Sequence, residues 1–166
     1  MSLDDWKKWE KVIYISILIL ALFSRFYMLG ERAISHDESI HTKFSWNLAV
    51  GDGFQHNPMM HGPLLFETTA LVYTLFGVSD FTSRIFVAVV GVAVVMCPIL
   101  YRKWLGEIGA ASASFFLLIS PSISYYSRYI RHDLPLVLTA LLFLWATLKY
   151  LDDKKSKWLY WAAAFF

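Results

Sequence analysis

The sequence predicts an all-α, polytopic membrane protein, and three observations carry that prediction. Hydrophobic residues make up 57% of the 166-residue chain and charged ones only 17%, against about a quarter in soluble domains. The apolar residues stand in long blocks, not in amphipathic stripes or alternating runs. Most basic residues flank those blocks, where they act as topology signals. The same numbers exclude other classes. Aromatics at 17% argue against disorder, and Cys97 is the only cysteine, which excludes a disulfide scaffold. A net charge of +2 is too small to argue for nucleic acid.

Val12–Leu29 reads as the first span. It is too long for the apolar part of an ordinary signal peptide, it contains Arg25, and Gly-Glu-Arg follows it without a small-x-small cleavage site. Lys7, Lys8 and Lys11 hold its start in the cytoplasm. The next apolar stretch, Gly62–Phe76, decides the topology. If it crossed the membrane, Lys149, Lys154, Lys155 and Lys157 would fall on the outer side. As a helix it reaches about 22 Å against an apolar core of about 30 Å, and it contains Glu67, Thr68, Thr69 and Thr74. An interfacial or re-entrant helix is therefore expected, which makes residues 30–82 one long outer loop of amphipathic pieces. The Trp residues 6, 9, 104, 145, 158 and 161 then gather at the inner face, and Tyr125, Tyr126 and Tyr129 at the outer one.

Ser83–Tyr101, Ile108–Tyr126 and Leu134–Leu151 are the remaining full apolar stretches. Spans are expected at about 12–29, 83–101, 108–127 and 134–151, with a further one starting at 158. That last segment stops at Phe166 after nine residues, about 13 Å of helix. The chain is thus expected to be the first part of something longer, or to be completed by a partner. It reads as a single membrane module, 1–166, without repeats or linkers.

The reactive side chains collect on the expected outer face. Under this topology all five histidines lie there, with Asp37, Glu38, Asp52, Glu67, Asp80 and Asp133. Ser35-His36-Asp37-Glu38 has the form of a capping box, with Ser35 as N-cap. On the helix it starts, Asp37, His41 and Ser45 form one row and Ile40, Phe44 and Leu48 the next, so Asp37 is held at the membrane surface. A zinc-protease motif is excluded, because His36 and His41 are five residues apart where that motif needs four. Carboxylates brought together from two loops would suit Mg or Mn. Gly51-Asp52-Gly53 is a turn, and His61-Gly62-Pro63 breaks the chain before the interfacial helix. His61 is equally placed to be a hydrogen-bonded loop histidine or an anion contact.

Ser127-Arg128-Tyr129-Ile130-Arg131-His132-Asp133 closes one span and opens another. Its arginines suit a helix C-terminus and Asp133 suits an N-cap. Arg128 and Arg131, three apart, also share a face at the interface, and Arg84 begins its span at the same level. Guanidinium forks match phosphate oxygens. Acids and arginines together suggest a lipid-phosphate donor and an acid-assisted transfer.

Taken in order, Arg25, Asp37-Glu38, His61-Gly62-Pro63-Leu64, Phe76-Gly77 with Arg84, and Ser127-Arg128-Tyr129-Ile130 leading to Asp133 resemble the N-terminal module of GT-C membrane glycosyltransferases. Protein O-mannosyltransferases and aminoarabinose transferases are similar, and the nearest likeness is to prokaryotic mannosyltransferase-like proteins described as flippase-activity-associated. The resemblance covers most of residues 20–140. It implies a polyprenyl-phosphate-linked sugar donor used at the extracytoplasmic face. Asp37, with Glu38, would take the place of the catalytic acid. His61, Arg84, Arg128 and Arg131 would serve the lipid phosphate, and Asp133 with Asp37 a divalent metal, Mg or Mn. Gly62 replaces the first proline of the family's His-Pro-Pro element. The family's enzymes are several times longer, so an isolated chain of this length is not expected to be active. The alternative is a non-catalytic, glycosyltransferase-like subunit with a structural role in a membrane complex. A transporter or flippase ranks below both, because the expected spans between 83 and 151 carry mostly Ser and Thr as polar residues.

Overall fold

A computed structural model describes residues 6–53 and 62–166 of the chain. Its described residues are helices and connecting turns, without a strand. Helix α1 (Lys8–Phe26) starts earlier than the apolar stretch, because the Glu10 carboxylate accepts the Lys7 backbone N–H at 3.0 Å and closes the first turn. It ends three residues before Leu29 in a turn that puts Met28 at φ 51°. Helix α2 (His36–Ala49) and helix α3 (Leu64–Phe76) lie in the segment expected as an outer loop. Helix α4 (Asp80–Met96) is capped by Ser79, whose Oγ accepts the Thr82 N–H at 3.1 Å. It tightens into a 3-10 helix over Cys97–Tyr101, where Pro98 supplies no N–H for an α-helical bond.

Helix α5 (Arg102–Ile119) contains a break at Gly106 (φ 73°, ψ 173°) that turns the chain back. The sequence reads 108–127 as one span; the structure divides it. Pro121 cannot donate to Leu117, so α5 stops and a short helix α6 (Pro121–Tyr126) starts afresh from Ser120. Helix α7 (Asp133–Asp153) and helix α8 (Lys157–Phe165) complete the chain, α8 folding back so that Trp158 meets Trp145 at 5.2 Å and Phe166 meets Phe143 at 6.0 Å.

The long helices alternate in direction. At the lower end of the bundle Arg102 binds Glu10 (2.6 Å) and Lys103 binds Asp152 (2.5 Å); at the upper end Arg84 binds the Leu29 carbonyl (3.1 Å). So α1 and α5 rise, while α4 and α7 descend. Between the ends, Ile17 and Ala21 of α1 pack on Val92 and Val95 of α4 and on Leu118 of α5. Val90 and Val94 of α4 pack on Leu134 of α7. Helix α4 is thus the shared wall of the core.

Helix α3 does not run the length of the bundle. Its first turn places Leu65 against Val87 and Ile130, and its last turns place the Tyr73 hydroxyl 2.6 Å from Ser83 Oγ. Both contacts are at the upper end. Asp80–Ile119 and Asp133–Asp153 are long and apolar enough to cross a membrane, and exposed residues such as Ile15, Ile19, Phe23, Phe116 and Leu136 clothe the outside of the bundle.

Candidate active site and the arginine cluster above it

The upper end is held by arginines, each placed by a backbone need. Pro121 leaves the Leu117 carbonyl without its usual donor, and Arg25 of α1 supplies one from Nη2 (3.4 Å) while Nη1 donates to Leu118 O (3.2 Å). Arg128 returns the service to α1, donating from Nη1 to Ser24 O (3.1 Å) and from Nη2 to Met28 O (2.9 Å). A guanidinium at a helix C-terminus also meets the negative end of the helix dipole.

Arg84 and Glu38 form the centre. Ser35 Oγ accepts the Glu38 N–H (3.4 Å), and the Glu38 carboxylate accepts the Ser35 N–H (3.1 Å), which is the capping box read from the sequence. The same carboxylate accepts Arg84 Nε (3.0 Å) and Nη2 (3.1 Å), Arg32 Nη2 (2.9 Å) and the Ile130 N–H (3.3 Å). Arg84 spends its other donors on the carbonyls of Leu29 (3.1 Å), Arg32 (2.8 Å) and Ala33 (3.4 Å). Both side chains are fully buried. The sequence reading gives Glu38 a share of the catalysis and Arg84 a phosphate contact; in the structure every Arg84 donor is engaged and the Glu38 carboxylate accepts five bonds. They tie α2, the α1–α2 connection, α4 and the segment before α7 into one piece. Burial pushes the Glu38 carboxyl up, and the Arg84, Ser35 and Ile130 hydrogen bonds outweigh it, so it stays below the usual glutamate range.

With Glu38 turned inward, its neighbour Asp37 is left outward. Arg131 Nε lies 3.1 Å from Asp133 Oδ2 and its Nη1 lies 3.9 Å from Asp37 Oδ2. All three are about half exposed. Asp37 and Asp133, 96 positions apart in sequence, thus flank one guanidinium. Beneath them the His41 and His132 rings meet edge to face at 5.3 Å, and His132 Nε2 lies 3.3 Å from the Gly62 carbonyl. His61 lies outside the described residues. Arg128 is half-buried; burial and then Arg32 and Arg84 lower its affinity for a proton, a sign of positive field at this end.

Asp37 and Asp133 bring two carboxylates together with the Arg131 guanidinium between them, where Mg and Mn favour about six oxygen ligands. Among the described residues no group of three His, Cys, Asp or Glu side chains converges.

The region from His61 onward, carrying Arg84, the 128–133 segment and α7, is the part that decides identity. It matches the profile of the dolichyl-phosphate-mannose-protein mannosyltransferases over residues 60–166. The chain belongs to this family. It is accordingly a mannosyltransferase-like, all-α module of the GT-C type, in a membrane context. A protein of Aquifex aeolicus (strain VF5), described as an uncharacterized protein, is 28% identical over 163 residues, covering 90% of this chain and 32% of that relative. The chain spans about a third of the length of the relative it matches. No solved structure matches it.

What this mannosyltransferase-family chain adds to its sequence is a division of labour. The sequence places Asp37-Glu38 and Arg128–Asp133 on one face but does not say which acid is free. The contact of Arg32 with Glu38 was missed, although Arg32 stands only six residues ahead of that acid.

Proposed function

We propose that the chain is the N-terminal module of a glycosyltransferase that uses a polyprenyl-phosphate-linked sugar at the extracytoplasmic face. The observation that carries this reading is the convergence of Asp37, Arg131 and Asp133 at the upper end, above a buried ion pair that fixes them. Family membership supports glycosyl transfer. The many lysines at the lower end, including Lys7, Lys8, Lys11 and Lys154, support placing that end in the cytoplasm.

In the reaction, an acceptor hydroxyl or amine attacks the anomeric carbon and the bond from that carbon to the phosphate oxygen breaks. The electron pair leaves with the polyprenyl phosphate. Asp37, a half-exposed carboxylate, takes the acceptor proton as general base. Arg131 turns from its two carboxylates toward the leaving phosphate and offsets its charge. Asp133 holds Arg131 in position between turnovers, and Arg128 keeps the end of α1 in place beneath it. No step is assigned to a metal.

The test is Asp37→Asn in the full-length protein, assayed for sugar transfer from dolichyl phosphate mannose. Loss of transfer by 100-fold or more, with unchanged folding, is expected for a lost general base (about 10²–10⁴-fold). Retained transfer would end the reading.

A further inference from the structure

Above the Glu38–Arg84 pair, charge is out of balance. Arg32 and Arg84 share one ion-paired carboxylate, Glu38, Arg128 lies within the electrostatic reach of both, and Arg25 sits fully buried next to Ser24, whose carbonyl Arg128 also binds. Among the described residues no other carboxylate pairs with these four. A surplus of guanidinium at a membrane surface is complementary to an anion.

The four are not equally available. Arg84 has no donor left, and Arg25 is enclosed. Arg32 is 41% exposed and uses only Nη2, toward Glu38 (2.9 Å) and the Arg128 carbonyl (3.2 Å). Its Nε and Nη1 hydrogens bond to nothing among the described residues. The guanidinium lies against two aromatic rings, 5.0 Å from the centre of Tyr129 and 5.6 Å from that of Tyr125. Those rings stack on one another at 5.4 Å. Tyr129 is buried and held by its hydroxyl 2.9 Å from Ser35 Oγ, whereas Tyr125 is 51% exposed. Exposed aromatic surface beside a fixed, partly unsatisfied guanidinium suits a ligand with an anionic group and a weakly polar face, which is what a glycosyl phosphate presents.

The position is also right. Ser35 is two residues from Asp37 and Tyr129 two from Arg131, so each anchor lies within about 7.6 Å of the proposed reacting pair, counted as two Cα steps.

We propose that Arg32 and Tyr125 form the seat of the donor's glycosyl phosphate, Arg32 taking phosphate oxygens and the Tyr125 ring lying against the sugar. This rests on the donor reading given above. Tyr129, Ser35 and Glu38 position the pair without touching the ligand.

The experiment uses full-length protein in nanodiscs and measures binding of dolichyl phosphate mannose, dolichyl phosphate and phosphatidylglycerol by native mass spectrometry. Tyr125→Ala should weaken the glycosylated lipid about tenfold and leave dolichyl phosphate unchanged; Tyr125→Trp should restore it. Arg32→Lys, which keeps the charge but loses the fork, should weaken both dolichyl lipids several-fold. Melting temperatures near wild type establish that the variants fold, and Tyr125, being exposed, gives the decisive pair. Unaltered binding of dolichyl phosphate mannose by Tyr125→Ala would overturn the seat while leaving the donor reading intact. Equal competition by phosphatidylglycerol would overturn it in favour of a general lipid-headgroup site. Wild-type protein that binds neither dolichyl lipid would remove the donor reading, and the seat with it.

Discussion

Replacing Arg84 by methionine removes a buried guanidinium that makes five hydrogen bonds and leaves Glu38 buried with Arg32 as its remaining cationic partner. Breaking a fully buried ion pair from one side costs about 3–5 kcal/mol, because the surviving charge keeps its desolvation penalty and loses its compensation. The Leu29, Arg32 and Ala33 carbonyls also lose donors at about 1 kcal/mol each, partly recovered where water reaches the loop. Because Arg32 still pairs with Glu38, the lower figure of about 3 kcal/mol is the expected loss. Glu38→Gln keeps the shape and removes the charge. If the pair is the keystone of the upper end, the double variant should be less damaged than the two single losses added together, with a coupling of about 2–3 kcal/mol. Equilibrium unfolding in mixed detergent micelles, followed by helical circular dichroism, measures all four corners of the cycle. Single losses below about 1 kcal/mol, or strict additivity, would refute the reasoning.

Acid should act on the same pair. The Glu38 carboxyl is held below the usual glutamate range, so its stabilisation is fully present above about pH 4.3 and is lost as pH falls through the lowered native value. Melting temperatures between pH 3 and 7 should fall more steeply for wild type than for Glu38→Gln. Gly91→Ala tests the seam between α4 and α6: a Cβ at Gly91 would stand 2.2 Å from Ser127 Oγ, in a place where Ser127 is already bound to Ile123 O at 2.5 Å. A loss of about 1–3 kcal/mol is expected, with Ser127→Gly restoring part of it in the double variant, and thermal unfolding reads both.

The upper end also explains why loss of a residue far from Asp37 should reach it. Arg84 is 47 positions from Asp37, yet it sets the height of α2 through Glu38, and α2 sets where Asp37 meets Arg131. The lower end has its own clamp, Glu10 with Arg102 and Glu107 with Arg102 and Lys7, which fixes the turn after α4 against the start of α1. Each clamp joins elements about 50 to 100 residues apart, so each helps to fix the packing order of the long helices.

Much of the architecture was legible in the sequence because burial in a bilayer and helix punctuation are local. Apolar blocks of some 18 residues, the Ser35–Glu38 capping box and the short and polar-spotted Leu64–Phe76 helix each depend on neighbouring residues alone. The break at Pro121 was not read, because 108–127 stands as one apolar run; the missing N–H divides the helix, and only packing shows that Arg25 supplies the Leu117 carbonyl. The roles of neighbouring acids were likewise undecided. Asp37 and Glu38 have the same charge and adjacent positions, and a helix turns them about 100° apart. Which one faces inward depends on where Arg84 arrives from α4, a contact across 46 residues that no local pattern specifies. The sequence by itself determined that this chain is helical, membrane-embedded and rich in arginine and acid at one end. The tertiary structure decided which of those charges are spent on holding the fold and which remain at the surface, since a side chain's free hydrogen-bonding capacity is set by everything packed around it.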